Sequence, residues 1–282
     1  MRPAILGSDA AFFEPAATAL CEFGQAPDSL RPFGSGAHMP NRAKPVRPAP
    51  VDSRPKNKLL ACLPRADFDR VRPHLKTVPI KVRQVLHPVN EPVRQVYFLN
   101  GGVASMTTVM QDGSMVEIAT VGDEGMVGIN AFFGGAMLSG ETMMQVPDTN
   151  AEVMSADVFK RELARGGPFH ECVHRYSQGL LMLIMQSTGC MALHPVQERC
   201  CRWLLMTHDR VREDEFHLSH EFLAMMLGTT RPTVTIVAGT LQKAGLIKYT
   251  HGRITILDRK NLEAASCECY ATVRGHFDRL GL

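Results

Sequence analysis

The middle of the chain, from Leu59 to about Pro147, consists of short hydrophobic, β-prone runs divided by polar segments that contain glycine. The runs VRQVYFL, GVASMTTVM and MVEIATVG are separated by NGG, QDGS, GDEG and FGGAML, where turn-forming residues are concentrated. Turn signals at this regular spacing predict a compact antiparallel sandwich or barrel, with QDGS as the clearest hairpin. A short helix, LPRADFDRVRPHL, leads into these strands, with Phe68, Val71 and Leu75 on one face.

Helical periodicity follows the segment SADVFKREL, which we interpret as the end of a strand and a short helix. A long helix is predicted from Pro168 to about Leu193, because proline suits a first turn and Pro195 stands just past the end. The middle of this helix, LLMLIM, is apolar almost all round, so the helix needs more than one partner surface. A second helix, PVQERCCRWLLMTHDRV, comes next. The apolar stripe of the long helix consists of Val173, Tyr176, Leu180, Leu183 and Ile184.

A polar interruption in the stretch MLGTTRPTVTI predicts the turn of a helix-turn-helix between His220 and Gly239. Gly228 suits the positive φ with which the chain leaves the first helix. Thr229 or Thr230 can cap the second helix, and Pro232 fits only within a first turn. The buried faces are expected to hold Leu223, Ala224 and Leu227 on the first helix, and Val234, Val237 and Leu241 on the second.

The outward residues of the second helix are suited to reading DNA. An arginine in the first turn, Arg231, can fork onto O6 and N7 of guanine. Phosphate or mixed contacts suit Thr230, Thr233 and Lys243 better. The following GLIKYTHGRITIL predicts a two-stranded wing, after which Asp258 caps a final helix, RKNLEAASCECY. The alternative is a plain helical hairpin with a solvated arginine. The predicted DNA contacts are Thr230, Arg231, Thr233, Thr235, Ile236, Lys243, Lys248, His251 and Arg253.

Composition and charge restrict this picture without deciding it. The 282 residues allow two modest domains and a tail, and the net charge of +3 permits nucleic-acid binding without arguing for it. Nine of the 18 prolines precede Lys56, so residues 1–57 are expected to form a disordered tail. Asp9 and Glu14 interrupt any secretory segment, and polar residues break the most apolar stretch, so we expect a cytoplasmic protein without a membrane span and with reduced cysteines.

The glycine-punctuated strands, the long helix and the segment LSHEFLAMMLGTTRPTVTIVAGTLQKAGLIKYTHGRITIL together resemble the Crp/Fnr family of bacterial transcription regulators. The resemblance covers roughly Leu59 to Leu257. After the tail at 1–57 it implies an α+β chain with a cyclic-nucleotide-binding-like antiparallel β-roll of the jelly-roll kind at 58–167, a dimerisation helix at 168–194 and a winged helix-turn-helix domain at 195–282. It also implies a homodimer, joined through the stripe of the long helix, that binds palindromic operators on double-stranded DNA, and it leaves room for contact with RNA polymerase. Pro232 and Ile236 replace a glutamate and an arginine of well-known members, so the operator sequence is not carried over.

The effector site departs from the members that bind cyclic AMP. Within VGINAFFGGAMLSGETMMQV, Ile129 stands for the glutamate that holds the ribose, and Glu141 and Thr142 stand for the arginine and serine that hold the phosphate. A carboxylate repels a phosphate, so binding of a cyclic nucleotide is not expected. The candidate pocket, Gly128, Ile129, Asn130, Glu141 and Thr142, is left with another ligand, a partner protein or no effector at all.

Cysteine and histidine groups add three weaker candidates. HECVH, with His170 and His174 four apart, could chelate a metal but is also a simple polar first turn. RCCRW and SCECY could hold a metal or form a redox switch, yet they lack a CxxC pair, and buried thiols explain them as well. No metal site and no cofactor are therefore assigned. The role of Cys267 and Cys269 stays open, and a redox- or metal-responsive regulator of the same fold is kept as an alternative.

Other cofactors and activities are weighed in the same way. Cys21 and Cys62 are the only cysteines before the long helix, too few for the iron-sulfur cluster of oxygen-sensing relatives. His87 could bind haem but is more simply an ordinary histidine, and the carboxylates of GDEG are explained by a turn. A β-roll metalloenzyme would need an HxH pair, which the roll lacks, so no enzymatic activity is expected. An adaptor whose winged helix does not touch DNA is the last alternative.

Overall fold

The computed structural model describes residues 54–134, 140–147 and 149–282. The chain divides into two units, Met1–Ala49 and Pro50–Leu282, and the description below concerns the second. Most of the predicted tail lies outside the described residues. Its last residue, Asn57, is fully buried: its side-chain amide donates to the carbonyls of Leu99 and Gly125 at 2.9 and 2.8 Å, and its oxygen accepts from the N–H of Leu60. The ordered part of the chain therefore includes the end of the segment predicted to be a tail.

Two antiparallel sheets form the roll predicted from the alternating runs and turns. One sheet has the order β1-β7-β3 and the other the order β2-β6-β4-β5. The QDGS hairpin is confirmed between β4 and β5, where Gly113 has a φ of +82° and the N–H of Met110 donates to the carbonyl of Ser114 at 2.8 Å. The strands are β1 (Lys76–Ile80), β2 (Val85–His87), β3 (Gln95–Leu99), β4 (Val103–Val109), β5 (Met115–Val121), β6 (Gly140–Val146) and β7 (Thr149–Ser155).

Short helices close the two ends of the roll. Before the strands come α1 (Lys58–Ala61) and α2 (Arg65–Val71), which continues into a 3-10 turn, with Val71 buried and Phe68 and Leu75 partly buried as predicted. After them comes α3 (Ala156–Ala164), which Ser155 caps by accepting from the N–H of Val158. These caps fix the entry and exit of the roll.

Two long helices lead from the roll to the C-terminal region. The predicted long helix is confirmed as α4 (Gly167–Leu193), with Pro168 in its first turn, and α5 (Val196–Val211) follows after a break at Pro195. The predicted dimerisation stripe does not face outward: its first four residues are at most 4% exposed and the fifth is partly buried. They pack inside the chain because the roll and a later helix cover them. The stripe residues are Val173, Tyr176, Leu180, Leu183 and Ile184.

The C-terminal region has the predicted helix-turn-helix and wing, with one correction. The single predicted final helix is two helices, α8 (Arg259–Ala264), capped by Asp258, and α9 (Cys269–Leu280), which packs along α4. Gly179 allows this contact, since a Cβ there would lie 3.0 Å from the ring of Phe277. The other elements are β8 (Glu215–His217), α6 (His220–Met226), α7 (Arg231–Lys243), β9 (Ile247–Thr250) and β10 (Arg253–Ile256), the strands forming a sheet of order β8-β10-β9.

Buried charged groups join the turn GDEG of the roll to α5. Glu124 accepts from Nη2 and Nε of Arg210 at 2.7 and 3.0 Å, with both side chains nine-tenths buried. Asp123 pairs with Arg212 and, at 3.6 Å, with Lys58. The segment is a turn, as predicted, since the N–H of Gly125 donates to the carbonyl of Gly122. Its two carboxylates have the further role of binding the roll to α5.

No helix in the described part of the chain combines the length and the hydropathy that crossing a bilayer requires.

Candidate nucleic-acid interface

The N-terminus of α7 is built as the sequence predicts. The hydroxyl of Thr230 accepts from the N–H of Thr233, so Thr230 rather than Thr229 is the cap. Pro232 occupies the first turn, where its missing N–H breaks no hydrogen bond. The buried face, Val234, Val237 and Leu241, is at most 8% exposed. Capping and burial together hold the first turn of α7 in one orientation.

The turn before α7 depends on Gly228. Its φ of +57° is in the left-handed region, which glycine adopts without a Cβ clash. A Cβ there would also lie 2.8 Å from Cε of Met191 and 3.3 Å from a methyl of Val116. The first helix is fixed from inside by Leu223, Ala224 and Leu227, all at most 5% exposed. The turn thereby sets the angle between α6 and α7.

Arg231 projects from this first turn and is 65% exposed. Its Nη1 lies 3.0 Å from Oε1 of Glu221, which belongs to the first turn of α6 and is equally exposed. An ion pair between two exposed side chains stabilises by only about 0–1 kcal/mol, so it holds the guanidinium loosely. Glu221 is the residue that sequence reasoning missed here; it lies at the capped start of α6, ten positions before Arg231.

The other predicted contact residues near Arg231 differ in how free their side chains are to meet DNA. Ile236 is 70% exposed, whereas the hydroxyl of Thr235 is engaged with the Arg231 carbonyl at 3.0 Å and with Nδ1 of His220. The ring of His220 in turn stacks on Tyr249 of the wing, with centroids 4.1 Å apart. Burial and the nearby Arg231 charge lower the pKa of His220. His220 and Tyr249 therefore link α6, α7 and the wing into one surface.

The wing is a two-residue hairpin with three basic residues on it. His251 and Gly252 form its turn with φ values of +50° and +77°, and Lys248 and His251 are exposed. Arg253 is exposed but pairs with Glu215 of β8 at 2.6 Å. Lys243 is exposed at the opposite end of α7. The structure thus brings Thr230, Arg231, Thr233, Thr235 and Ile236 together on α7 and adds the wing beside them, and their contacts with DNA remain predictions.

Residues 198–265, which contain this surface, match the family model of the Crp-like helix-turn-helix domain. This match shows that the C-terminal part of the chain contains a Crp-like helix-turn-helix domain. The match covers α6, α7, the wing and α8, and it ends two residues before Cys267.

Known transcription regulators are similar to this chain over longer stretches. The global nitrogen regulator of Synechocystis is 27% identical over 178 residues, which are 59% of this chain and 77% of the relative. The transcriptional regulator LdrP of Thermus thermophilus is 23% identical over 192 residues, 64% of this chain and 92% of the relative. A CRP-family regulator of known structure, also from Thermus thermophilus, shares the fold with a TM-score of 0.57 at 18% identity, covering 67% of this chain and 96% of that chain. The matched proteins are transcription regulators rather than enzymes.

The residues predicted to form an effector pocket lie beside a buried histidine, His87. Gly128, with a φ of +100°, opens the 3-10 turn that holds the buried Ile129 and the half-buried Asn130, and its Cβ, if present, would lie 3.1 Å from Nε2 of His87. His87 in turn is paired in register with Thr142 on β6, next to the half-buried Glu141. Burial lowers the pKa of His87 to about 4, so its ring is neutral at physiological pH. Neither His87 nor the two residues on β6 brings a positive charge for a cyclic phosphate.

The cysteine and histidine groups predicted from the sequence differ in what surrounds them. His170 and His174 of HECVH stack on each other with centroids 6.3 Å apart and lie beside Phe132. Cys200 and Cys201 of RCCRW are buried thiols in α5. SCECY is different, because the fold brings Cys267 and Cys269 to the end of α4. There they meet Cys190 and His194.

The outward face of α4 carries apolar residues that sequence reasoning did not select. Leu181 and Met185 are 57% and 59% exposed, and they share a side of the helix with the exposed Gln178, Thr188 and Ala192. Because LLMLIM is apolar almost all round, the sequence alone does not tell this face from the one that the chain covers itself.

Proposed function

We propose that the protein is a transcription regulator of the Crp/Fnr family that binds a palindromic operator as a homodimer, with Arg231 of each subunit reading a base in the major groove. The observation that carries this proposal is an exposed arginine in the capped first turn of a helix whose opposite face is fully buried. A side chain so placed keeps a defined direction, which a bidentate contact with guanine requires.

Binding requires Arg231 to exchange its partner. Both side chains of the Arg231–Glu221 pair are exposed, so breaking the pair costs little stability. A bidentate contact with the correct base contributes about 1–3 kcal/mol of discrimination against a wrong base. Glu221 also places a negative charge beside the expected path of the phosphates. It therefore acts against non-specific binding to the DNA backbone more than against the specific contact.

The dimer is proposed to form through the outward face of α4. Leu181 and Met185 leave apolar side chains in water on the exposed face of a helix whose opposite face is covered by its own chain. A second copy of the same helix would bury this stripe in a symmetric contact. This assignment replaces Val173, Tyr176, Leu180, Leu183 and Ile184 as interface residues, because those support the core of each subunit.

The sensing function of the roll is proposed to use something other than a cyclic nucleotide. The neutral His87 and the carboxylate of Glu141 supply no attraction for a phosphate. Contact with RNA polymerase, if the regulator activates transcription, would use a surface outside the elements described as the interface.

The experiment is a selection of duplexes from a randomised pool by the full-length protein, followed by binding measurements on the selected sequence. We expect an inverted repeat with half-sites about one helical turn apart. Arg231→Ala should bind this duplex about 5- to 150-fold more weakly and lose its preference at one base of each half-site. Glu221→Gln, which frees the arginine, should bind at least as tightly as the natural protein.

Arg65→Ala is the matched control, since this arginine is 90% exposed in the roll, away from α7. Its binding should not change. If no sequence is enriched, or if Arg231→Ala keeps the full base preference, the proposal is wrong and the adaptor alternative gains support.

A further inference from the structure

Four potential metal ligands from distant parts of the sequence meet at the junction of α4 and α9. Cys190 lies in the last turn of α4 and His194 directly follows this helix, while Cys267 and Cys269 flank the start of α9. The ligand atoms of the four residues lie within 4.8 Å of one another. Sγ of Cys190 is 3.5 Å from Sγ of Cys267, and Sγ of Cys269 is 3.4 Å from Nδ1 of His194.

The Cys190–Cys267 and Cys269–His194 distances fit the ligand spacing around a single tetrahedral ion. With zinc–sulfur bonds of about 2.3 Å, two sulfur ligands at tetrahedral angles are about 3.7 Å apart, and a nitrogen ligand is slightly closer. The separation of the two Sγ atoms is too long for a covalent S–S bond, which requires about 2.0 Å. Three thiolates and one imidazole form one of the usual ligand sets of structural zinc. In the described parts of the chain, no other group of three or more cysteine, histidine or carboxylate side chains comes together in this way.

The surroundings of the four residues also suit a metal ion. Nε2 of His194 lies 3.2 Å from Oε1 of Glu268, a carboxylate that fixes the ring so that Nδ1 points towards Cys269. The side-chain amide of Gln186 donates to Sγ of Cys269 at 3.0 Å. All three thiols are at most 4% exposed and form a cluster separate from the main hydrophobic core. Orientation by outer partners and exclusion of water are typical of structural metal sites.

Protons must leave when a metal binds. Burial raises the pKa of Cys190 to about 12 and raises that of Cys267, although the charge of Arg202 opposes the change at Cys190. Without a metal these thiols are therefore neutral. A divalent ion bound by three thiolates displaces one proton from each protonated thiol and leaves a net charge of −1 on the ion and its ligands, beside the positive charge of Arg202.

We propose that Cys190, His194, Cys267 and Cys269 bind one Zn²⁺ ion that ties the start of α9 to the end of α4. The consequence reaches the DNA-binding region through α5: Arg199 donates to the sulfur of Met191, one residue after Cys190, and to the carbonyl of Leu227 at the end of α6. The ion would thus fix the junction on which the helix-turn-helix rests. The inference uses no residue of the DNA interface, so its failure leaves the proposed operator binding intact.

The test is metal analysis of full-length protein, expressed with zinc in the medium and purified with a reductant that does not bind metals. We expect one zinc per chain by mass spectrometry, and loss of that zinc in Cys190→Ser and in Cys269→Ser. Cys200→Ser is the matched control, because Cys200 is equally buried in the neighbouring helix but is not part of the group. It should keep its zinc.

A second measurement begins with the natural protein, so its main result does not depend on the folding of any variant. Natural protein stripped with a chelator and titrated with Co²⁺ without oxygen should develop thiolate-to-cobalt charge-transfer bands and the ligand-field bands of tetrahedral cobalt, up to one equivalent. His194→Ala should shift these bands, and Glu268→Gln should weaken cobalt binding about 10-fold while keeping the spectrum.

Three results would overturn the proposal. The first is zinc content no higher in the natural protein than in Cys190→Ser, together with no cobalt bands. The second is iron with inorganic sulfide, which would mean a cluster instead of a single ion. The third is a Cys190–Cys267 disulfide in protein isolated without oxidant, detected by mass before and after reduction.

Discussion

Replacing Arg210 by methionine should test how the roll is joined to α5. Glu124 would keep its carboxylate in a site where the side chain is 8% exposed, with backbone N–H groups such as that of Gly122, at 3.1 Å, as its remaining hydrogen-bond donors. Removing one partner of a buried ion pair costs about 3–5 kcal/mol, because the other charge stays buried without compensation. We therefore expect Arg210→Met to lower the free energy of unfolding by about this amount, measured by urea denaturation at pH 7.

The double variant Glu124→Gln/Arg210→Met separates the cost of an unpaired buried charge from the net contribution of the ion pair to stability. It leaves no buried charge, so most of the lost stability should return even though the ion pair is absent. Each single variant should be less stable than the double variant. If Arg210→Met costs under about 1 kcal/mol, or if the double variant is the least stable of all, the pair does not join the roll to α5 as described.

The pH dependence gives an independent check on the same pair. Burial alone raises the pKa of Glu124, but the charge and hydrogen bonds of Arg210 outweigh it and leave the pKa below its ordinary value. A lowered pKa stabilises the fold above the unfolded value of about 4.5, and this contribution is lost as the pH falls through the folded value. In Arg210→Met burial is unopposed and Glu124 takes up a proton more readily. The difference in stability between the two proteins should therefore be largest near pH 7, shrink as the pH falls towards about 4.5 because Glu124 of the variant is protonated there, and shrink further below pH 4.5 as the natural protein loses the contribution of its ion pair.

Two further changes test the proposed interface on α4 and the contact between β5 and α5. The double variant Leu181→Lys/Met185→Lys should form folded monomers, measured by light scattering, and should not bind the operator. Met110→Lys, at a similarly exposed methionine after β4, is the control and should leave the dimer intact. If the double variant is still a dimer, α4 is not the interface. Burial raises the pKa of Glu117 from 4.5 to about 7, although hydrogen bonds from Ser105 and Trp203 to its carboxylate act in the opposite direction. The protonated Glu117 therefore stabilises the fold fully below pH 4.5, and this contribution is lost as the pH rises to about 7. Relative to Glu117→Gln, the natural protein should lose up to about 3 kcal/mol of unfolding free energy between these pH values, less where water reaches the carboxyl, and parallel pH profiles would contradict this.

The local elements of the DNA-binding region follow from short stretches of sequence. Gly228, Thr230 and Pro232 lie within five residues and each acts on its own backbone, so a turn and a capped helix can be predicted without knowing the rest of the fold. The same holds for the QDGS hairpin and for Pro168 at the start of α4. Arg231 could be predicted as the base-reading residue because Val234, Val237 and Leu241 indicate the buried face of its helix and Arg231 lies outside that face.

The features that could not be predicted from the sequence depend on which surfaces of the helices pack against each other. The apolar middle of α4 offers Leu181 and Leu183 alike, and only the docking of α9 decides that Leu183 is buried while Leu181 is exposed. The division of the final helix at Ala264 had no signal as strong as a proline. It places Cys267 and Cys269 against Cys190 and His194, some 75 positions away in the chain. A CxC pair near the end of the chain and a C-x₃-H spacing on a helix were the available signals, but neither alone separates a metal site from buried thiols.

The sequence by itself was enough to predict the resemblance to Crp/Fnr regulators, the order of the roll, the long helices and the winged helix-turn-helix, and the exposed arginine at the start of α7, because caps, turns and hydrophobic periodicity act over a few residues. Only the tertiary structure decided which face of α4 is left in water, that Glu124 and Arg210 join the roll to α5, and that three cysteines and a histidine share one site. Such pairings depend on packing between segments distant in the chain, and many arrangements of similar hydrophobic surfaces satisfy the same local pattern.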